Sequence, residues 1–303
     1  MALFTAVLWS LSSVTGARAA RSFGGPTANR LRLSLALIIL GIYVLCFPVP
    51  LRGAWFWWML LSGALGMGMG DLFIFLAYVR LGTRLPVLIT HCLAGPLAAL
   101  VEWLVRGVAL TVQEISLIAV ILLGVAIALV PGLRVQASGG RLRSGVLFGI
   151  GSAAMVGLSA VIVRESYAQL ALQGMACDAL TAAFVRALGG VAMSWSILPV
   201  LRLATRQPAP HSSGAAMPEH PWRRGWPWLL GTAICGLVLG MACYQLALTT
   251  GKAGPVHAVL AIMPILVMPL AWFMEGDRPT RWAILGGGLA VGAAVRMALL
   301  HSG

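Results

Sequence analysis

Gly240-Met-Ala-Cys-Tyr-Gln-Leu-Ala-Leu-Thr-Thr-Gly-Lys-Ala-Gly-Pro-Val-His257 opens the stretch that decides the fold. An apolar run follows through Met263-Pro264 to Trp272, and the polar cluster Glu275-Gly-Asp-Arg-Pro-Thr280 closes it. Two apolar segments therefore meet at a short Gly/Pro turn, and the second carries a proline in its middle. A diverged copy stands about 170 residues earlier. Leu76-Ala77 answers Leu246-Ala247, and Arg80-Leu-Gly-Thr-Arg-Leu-Pro86 takes the place of Thr250-Gly-Lys-Ala-Gly-Pro255. Gly95-Pro96 answers Met263-Pro264, and Leu110-Thr111 answers Pro279-Thr280. A chain that contains itself twice is read first as a repeat.

Hydrophobic residues make up 60% of the 303 and charged residues 10%, with a mean hydropathy of +0.93. Soluble domains carry about a quarter charged residues, so this is the composition of a membrane protein. A helical span needs roughly 20 mostly apolar residues. By that rule the chain holds ten: 2–17, 33–48, 55–78, 86–105, 113–131, 145–163, 177–199, 226–249, 255–274 and 282–300. The runs are continuous and do not alternate, which excludes a β-barrel. The expected fold is an all-α integral membrane protein, with 1–131 as a first five-helix half, 132–144 as a linker and 145–303 as a second half. Residues 1–20 imitate a signal peptide at Ala17-Arg-Ala19, but no basic residue precedes the apolar run, so a retained helix is expected.

The net charge of +13 does not point to nucleic acid, because the 20 arginines stand singly between apolar segments with no basic face. They read as topology signals. The connections after the odd-numbered spans hold 15 of them, whereas those after the even-numbered spans hold Arg52, Arg106, Arg164 and Lys252. The positive-inside rule then puts the first set in the cytoplasm and both termini outside. The five cysteines lie in or beside apolar spans with no CxxC or Cys/His spacing, so they read as small buried hydrophobes and neither zinc nor disulfides are expected; no cofactor is expected either.

Several polar side chains fall inside the apolar runs. Trp9 lies mid-span with no interface to anchor to, which suits a cavity lining. Arg30 and Arg32 precede span 33–48 and read as headgroup contacts by snorkelling. Gly63, Gly66, Gly68 and Gly70 allow close helix packing or flexing. Asp71 follows them about 24 Å past the Trp55-Phe-Trp-Trp58 belt, a depth where an acid faces a cavity or a partner. His91 and Glu102 share one face of their span; Glu102 reads as a partner of Arg106, and His91, deeper, has a side chain suited to a proton relay. Asp178 and Arg186 follow in the seventh span. Arg186 is read either as half of a buried ion pair or as an anchor for a substrate carboxylate. Tyr244-Gln245 lie deep in the eighth span. His257, Pro264 and Pro269 mark the ninth, where prolines free carbonyls of the preceding turn. Gly286-Gly-Gly288 and Gly292 suggest a close-packing face on the tenth.

Ten spans in two similar halves, Trp9 in the first, Arg32 opening the second, and Leu246-Ala247, Met263-Pro264 and Glu275-Gly-Asp-Arg-Pro-Thr280 resemble the drug/metabolite transporter superfamily, EamA-like branch. The resemblance covers 1–131 and 141–300. It departs at Arg106-Gly107, where the family usually has an acid. It implies an inverted five-plus-five repeat, a central cavity and alternating access for small organic solutes such as amino acids or drugs in a cell membrane. On that reading Trp9, Asp71, His91, Arg186, Tyr244 and Gln245 bind substrate, with Asp71 and His91 as the proton carriers at depth. Glu275 is read as structural, capping or pairing with Arg278. HExxH, GxSxG and facing acid pairs are missing, which argues against an enzyme. The alternative is a non-transporting membrane scaffold or receptor, which would need neither the repeat nor the buried polar residues.

Overall fold

A computed structural model describes residues 1–47, 49, 51–107, 111–135, 140–204, 221–250 and 259–300. The described residues form a series of helices. They are α1 (Ala2–Phe23), α2 (Gly25–Cys46), α3 (Ala54–Gly63, a π-helical stretch Ala64–Gly70, then Asp71–Leu81), α4 (Arg84–Arg106) and α5 (Val112–Val135). Then follow α6 (Gly140–Leu172), α7 (Ala179–Ala204), α8 (Pro221–Thr232, a π-helical stretch Ala233–Gly240, then Met241–Thr250), α9 (Met263–Glu275) and α10 (Arg281–Leu300). His257 and the first part of the expected span 255–274 lie outside the described residues.

Seven of these helices are long and apolar enough to cross a bilayer: α2 to α8, each in its apolar portion. Of the ten expected spans, seven meet that length and composition among the described residues, and the described part of the ninth, α9, is a shorter apolar helix. In α1 the apolar face is interrupted by Ser10, Ser12, Ser13 and Thr15, all buried against neighbouring helices. Lipid takes the place of water around the bundle. Phe273 is 91% exposed and Leu45 84%, a cost in water but not in hydrocarbon.

Local sequence explains where helices begin. Thr111 and Glu114 cap α5 reciprocally: the Glu114 amide donates to Thr111 Oγ1 at 3.2 Å and the Thr111 amide to Glu114 Oε2 at 2.6 Å. Asp178, expected inside the seventh span, is instead the cap of α7, its Oδ1 accepting from the amides of Leu180 and Thr181 at 3.0 Å. Thr280 Oγ1 accepts from the Ala283 amide at 3.2 Å and starts α10. At the end of α9, Gly276 is left-handed (φ 72°), with its amide bonded to Trp272 O and the Asp277 amide to Ala271 O, a termination that glycine enables.

With little hydrophobic force between helices in lipid, backbone approach supplies the packing. A Cβ at Gly63 of α3 would lie 1.9 Å from Arg186 O of α7, and one at Gly189 of α7 would lie 2.0 Å from Leu60 O. α5 and α10 meet the same way, through Gly124 and Gly286. Gly288 and Gly292 have nothing within 4 Å, so only part of the expected glycine face on α10 is a contact.

Candidate functional site

The site is assembled where the two π-helical stretches meet the helices that cross them. A π stretch leaves carbonyls without their usual partners. On α3, Asn29 Nδ2 of α2 reaches Met67 O and Gly68 O, each at 3.4 Å. Asn29 Oδ1 accepts from Arg32 Nε at 3.1 Å, and Arg32 Nη2 donates to Asp71 Oδ2, closing an ion pair between α2 and α3. The guanidinium also lies 4.6 Å over the Phe75 ring. Arg32 is 5% exposed, so it is not the snorkelling headgroup contact expected of it. The reason is the helix start: α2 begins at Gly25, which puts Arg32 about two turns inside. Arg30, by contrast, bonds back to Pro26 O at 3.2 Å.

A second arginine stands across the bundle. Arg186 of α7, 8% exposed, donates to Ser159 Oγ of α6 at 3.3 Å and faces Met241 Sδ of α8 at 3.6 Å. Ser159 Oγ donates to Ser62 O of α3 at 2.8 Å, much as Ser12 Oγ of α1 donates to Thr232 O of α8 at 3.1 Å. The glycines of the two π stretches meet matching neighbours. A Cβ at Gly66 would face Ser159 Oγ at 2.5 Å and the Arg186 guanidinium at 3.5 Å. One at Gly236 would face Ser12 Oγ at 2.3 Å and the Arg32 guanidinium at 3.7 Å. The matching ends at the first residue after each π stretch, which is Asp71 on α3 and Met241 on α8.

Of the residues singled out from sequence, Trp9, Asp71, Arg186 and Tyr244 come together here. Trp9 Nε1 donates to Gly236 O at 3.0 Å, so the indole fastens the second π stretch, and its ring lies 5.2 Å from that of Tyr244. Asp71 and Tyr244 both lie within electrostatic reach of Arg186. Gln245 is fully buried one turn beyond Met241, and neither amide atom has a hydrogen-bond partner among the described residues. His91 is not brought to this cluster. It lies on α4 between Thr90, which bonds Gly149 O of α6, and Cys92, packed with residues of α5 and α10. Sequence reading missed Asn29, Ser62, Ser159 and Met241, whose roles depend on the register between helices.

At the end of the bundle where α1 and α9 finish, Glu275 Oε1 accepts from Arg21 at 3.0 Å and from Thr83 Oγ1 at 2.7 Å, not from the expected Arg278. Arg84 and Asp277 pair at 3.4 Å beside it. Glu102 pairs with Arg164 of α6, and the side chain of its expected partner Arg106 lies outside the described residues. For Glu275 the partner nearest in sequence loses to donors supplied by other helices. Arg21 is partly exposed, so Glu275→Ala is expected to cost only about 1–2 kcal/mol, read as a lowered unfolding temperature in detergent. Two clefts of about 400 and 420 Å³ lie along α4, α5 and α6, lined mainly by residues such as Leu97, Ile118 and Leu142, and neither touches the arginine cluster.

Seven membrane-length helices around buried charges define a multi-pass membrane protein. The profile of the EamA-like transporter family matches residues 143–299, just over half of the chain. The chain belongs to that family, whose members are membrane transporters of the drug/metabolite type. A solved structure described only as "Crystal structure of protein" aligns with a TM-score of 0.60 at 17% identity, covering 99% of this chain and 96% of that one. At that identity the likeness shows the fold alone. No curated protein matches the chain in sequence.

Proposed function

We propose that the protein carries small organic metabolites across a cell membrane by alternating access, with Trp9, Asp71, Arg186, Tyr244 and Gln245 as the substrate-binding cluster. The observation that carries this reading is the pair of buried arginines, Arg32 and Arg186, set between helices deep in the span. Charge at such depth is costly and is retained where it faces a pathway or a partner. The matching surroundings of Gly66 and Gly236 support two related halves, 1–131 and 145–303, of inverted orientation. In that arrangement the cluster lies on the axis between them, as in other transporters built from repeats.

The proposed movement breaks contacts at the ends of the bundle and keeps those in the middle. Arg21–Glu275 and Arg84–Asp277 hold α1, α4 and α9 together at one end and would part when that end opens. The π stretches of α3 and α8, with Pro96 in α4 and Pro269 in α9, are the places where a helix can bend at low cost. Asp71 is the acid of the cluster, facing Arg32, Arg186 and Tyr78, and it is the proposed proton carrier. Movement of a mixed pool of small metabolites into sealed vesicles is expected to follow an imposed pH gradient in the wild type. Asp71→Asn is expected to move solute without responding to the gradient. An unchanged gradient response in that variant rules out the proton route through Asp71.

A further inference from the structure

Resting on the transport reading above, we propose that the cluster takes an organic monocarboxylate of net charge minus one, held by Arg186 in the way Asp71 is held by Arg32. The described charged side chains at the cluster are Arg32, Arg186 and Asp71, two positive and one negative. Asp71 is paired with Arg32, which also has Asn29 Oδ1 and the face of Phe75. Among the described residues Arg186 bonds a serine hydroxyl and faces a thioether, a weak acceptor; Asp71 and Tyr244 lie only within electrostatic reach, and its Nε has no hydrogen-bond partner. A buried guanidinium with so few acceptors leaves its desolvation largely uncompensated, and a carboxylate would match its planar fork.

The place for that carboxylate is marked by comparison within the chain. Met241 stands at the first position after the π stretch of α8, where α3 has Asp71, and its sulfur touches Arg186. A ligand carboxylate beside Met241 would complete the arrangement that Asp71 already gives Arg32. Gln245, one turn along the same face, offers an amide with both polar atoms buried and unpaired to a further oxygen of the ligand. The adjoining Trp9 and Tyr244 rings suit an apolar or aromatic body. The same inventory argues against a cationic group. The one carboxylate at the cluster among the described residues, Asp71, already faces two guanidiniums and is paired with Arg32, so the ammonium of an amino acid would be buried with no carboxylate left for it.

The test uses the full-length protein in nanodiscs of zwitterionic lipid, with 3-phenylpropionate, octanoate, 3-phenylpropionamide and phenylalanine as probes. Binding is read from the unfolding temperature and from tryptophan fluorescence. The two acids are expected to bind saturably, and the amide and phenylalanine at least about tenfold more weakly. Arg186→Gln is expected to lose the acid response. Because that variant could fail to fold, Met241→Asp serves beside it: its own carboxylate would occupy Arg186, raising the unfolding temperature without ligand and abolishing the response to acids. Equal binding of the amide or phenylalanine, an acid response retained in a folded Met241→Asp protein, or no response to either acid overturns the proposal. Flux through sealed vesicles separates the two levels. Acids that bind selectively but never cross would uphold the carboxylate site and reject transport. Neutral or cationic solutes that cross while acids fail to bind would do the reverse.

Discussion

Gly63→Ala is expected to unfold the bundle or prevent its assembly. The new methyl group would stand 1.9 Å from Arg186 O and 2.5 Å from Arg186 Cα, both backbone atoms that no rotamer change can move. α3 and α7 would have to separate, and their crossing fixes the Arg186 guanidinium and lies beside the Ser159–Ser62 bond at 2.8 Å. Ordinary overpacking costs about 1–3 kcal/mol, and a clash against backbone on this scale belongs at or above the upper end. Gly189→Ala meets Leu60 O at 2.0 Å and is expected to behave alike. Gly288→Ala, with nothing within 4 Å, is the control and is expected to be silent. Thermal unfolding of the three variants in detergent checks this; a Gly63→Ala protein as stable as the Gly288→Ala protein would show that the helices do not cross as described.

Asp71→Leu is expected to have the next largest effect. Among the described residues it leaves Arg32, 5% exposed, with Asn29 and the ring of Phe75 as partners. Breaking one side of a buried ion pair costs about 3–5 kcal/mol, because the remaining charge has lost both its water and its partner. Replacing both members by apolar residues of similar size removes the penalty with the charge, so Arg32→Met combined with Asp71→Leu is expected to recover most of the loss. The coupling energy from the four proteins separates the pair from the packing of each side chain. Additive losses in the double variant would mean that Arg32 and Asp71 do not interact.

How far the sequence reaches is seen at these same residues. The depth of Asp71 follows from counting along α3 from the tryptophan belt, and the need for a partner follows from the depth. The partner itself does not, because Arg32 is 39 residues away and meets Asp71 only when α2 and α3 are in register. Reading the second span as 33–48 left Arg32 at its edge, and the seven or so residues that Pro26 adds to the helix turn an interface arginine into a buried one. The glycines of α3 suit close packing or flexing; the structure shows the packing, with Gly63 at the crossing with α7, and a π stretch over 64–70 whose register the sequence does not announce. Glu275 was legible as structural, but its donors, Arg21 and Thr83, come from other helices. Caps were within reach of the sequence, since Thr111-Val-Gln-Glu114 is a capping box by spacing alone.

Alternating access requires the cluster around Arg186 to open to one membrane face and then to the other. The direct measurement is the reactivity of a thiol at Met241→Cys, in a background with the five native cysteines replaced. A membrane-impermeant anionic thiol reagent is added to oriented vesicles from outside in one sample and trapped inside in another. Met241 is buried in the conformation described, 6% exposed, so reaction requires opening. Alternating access predicts modification from both sides, with a bound acid slowing both. Modification from one side only, or from neither, would contradict it and leave a membrane receptor or scaffold in its place.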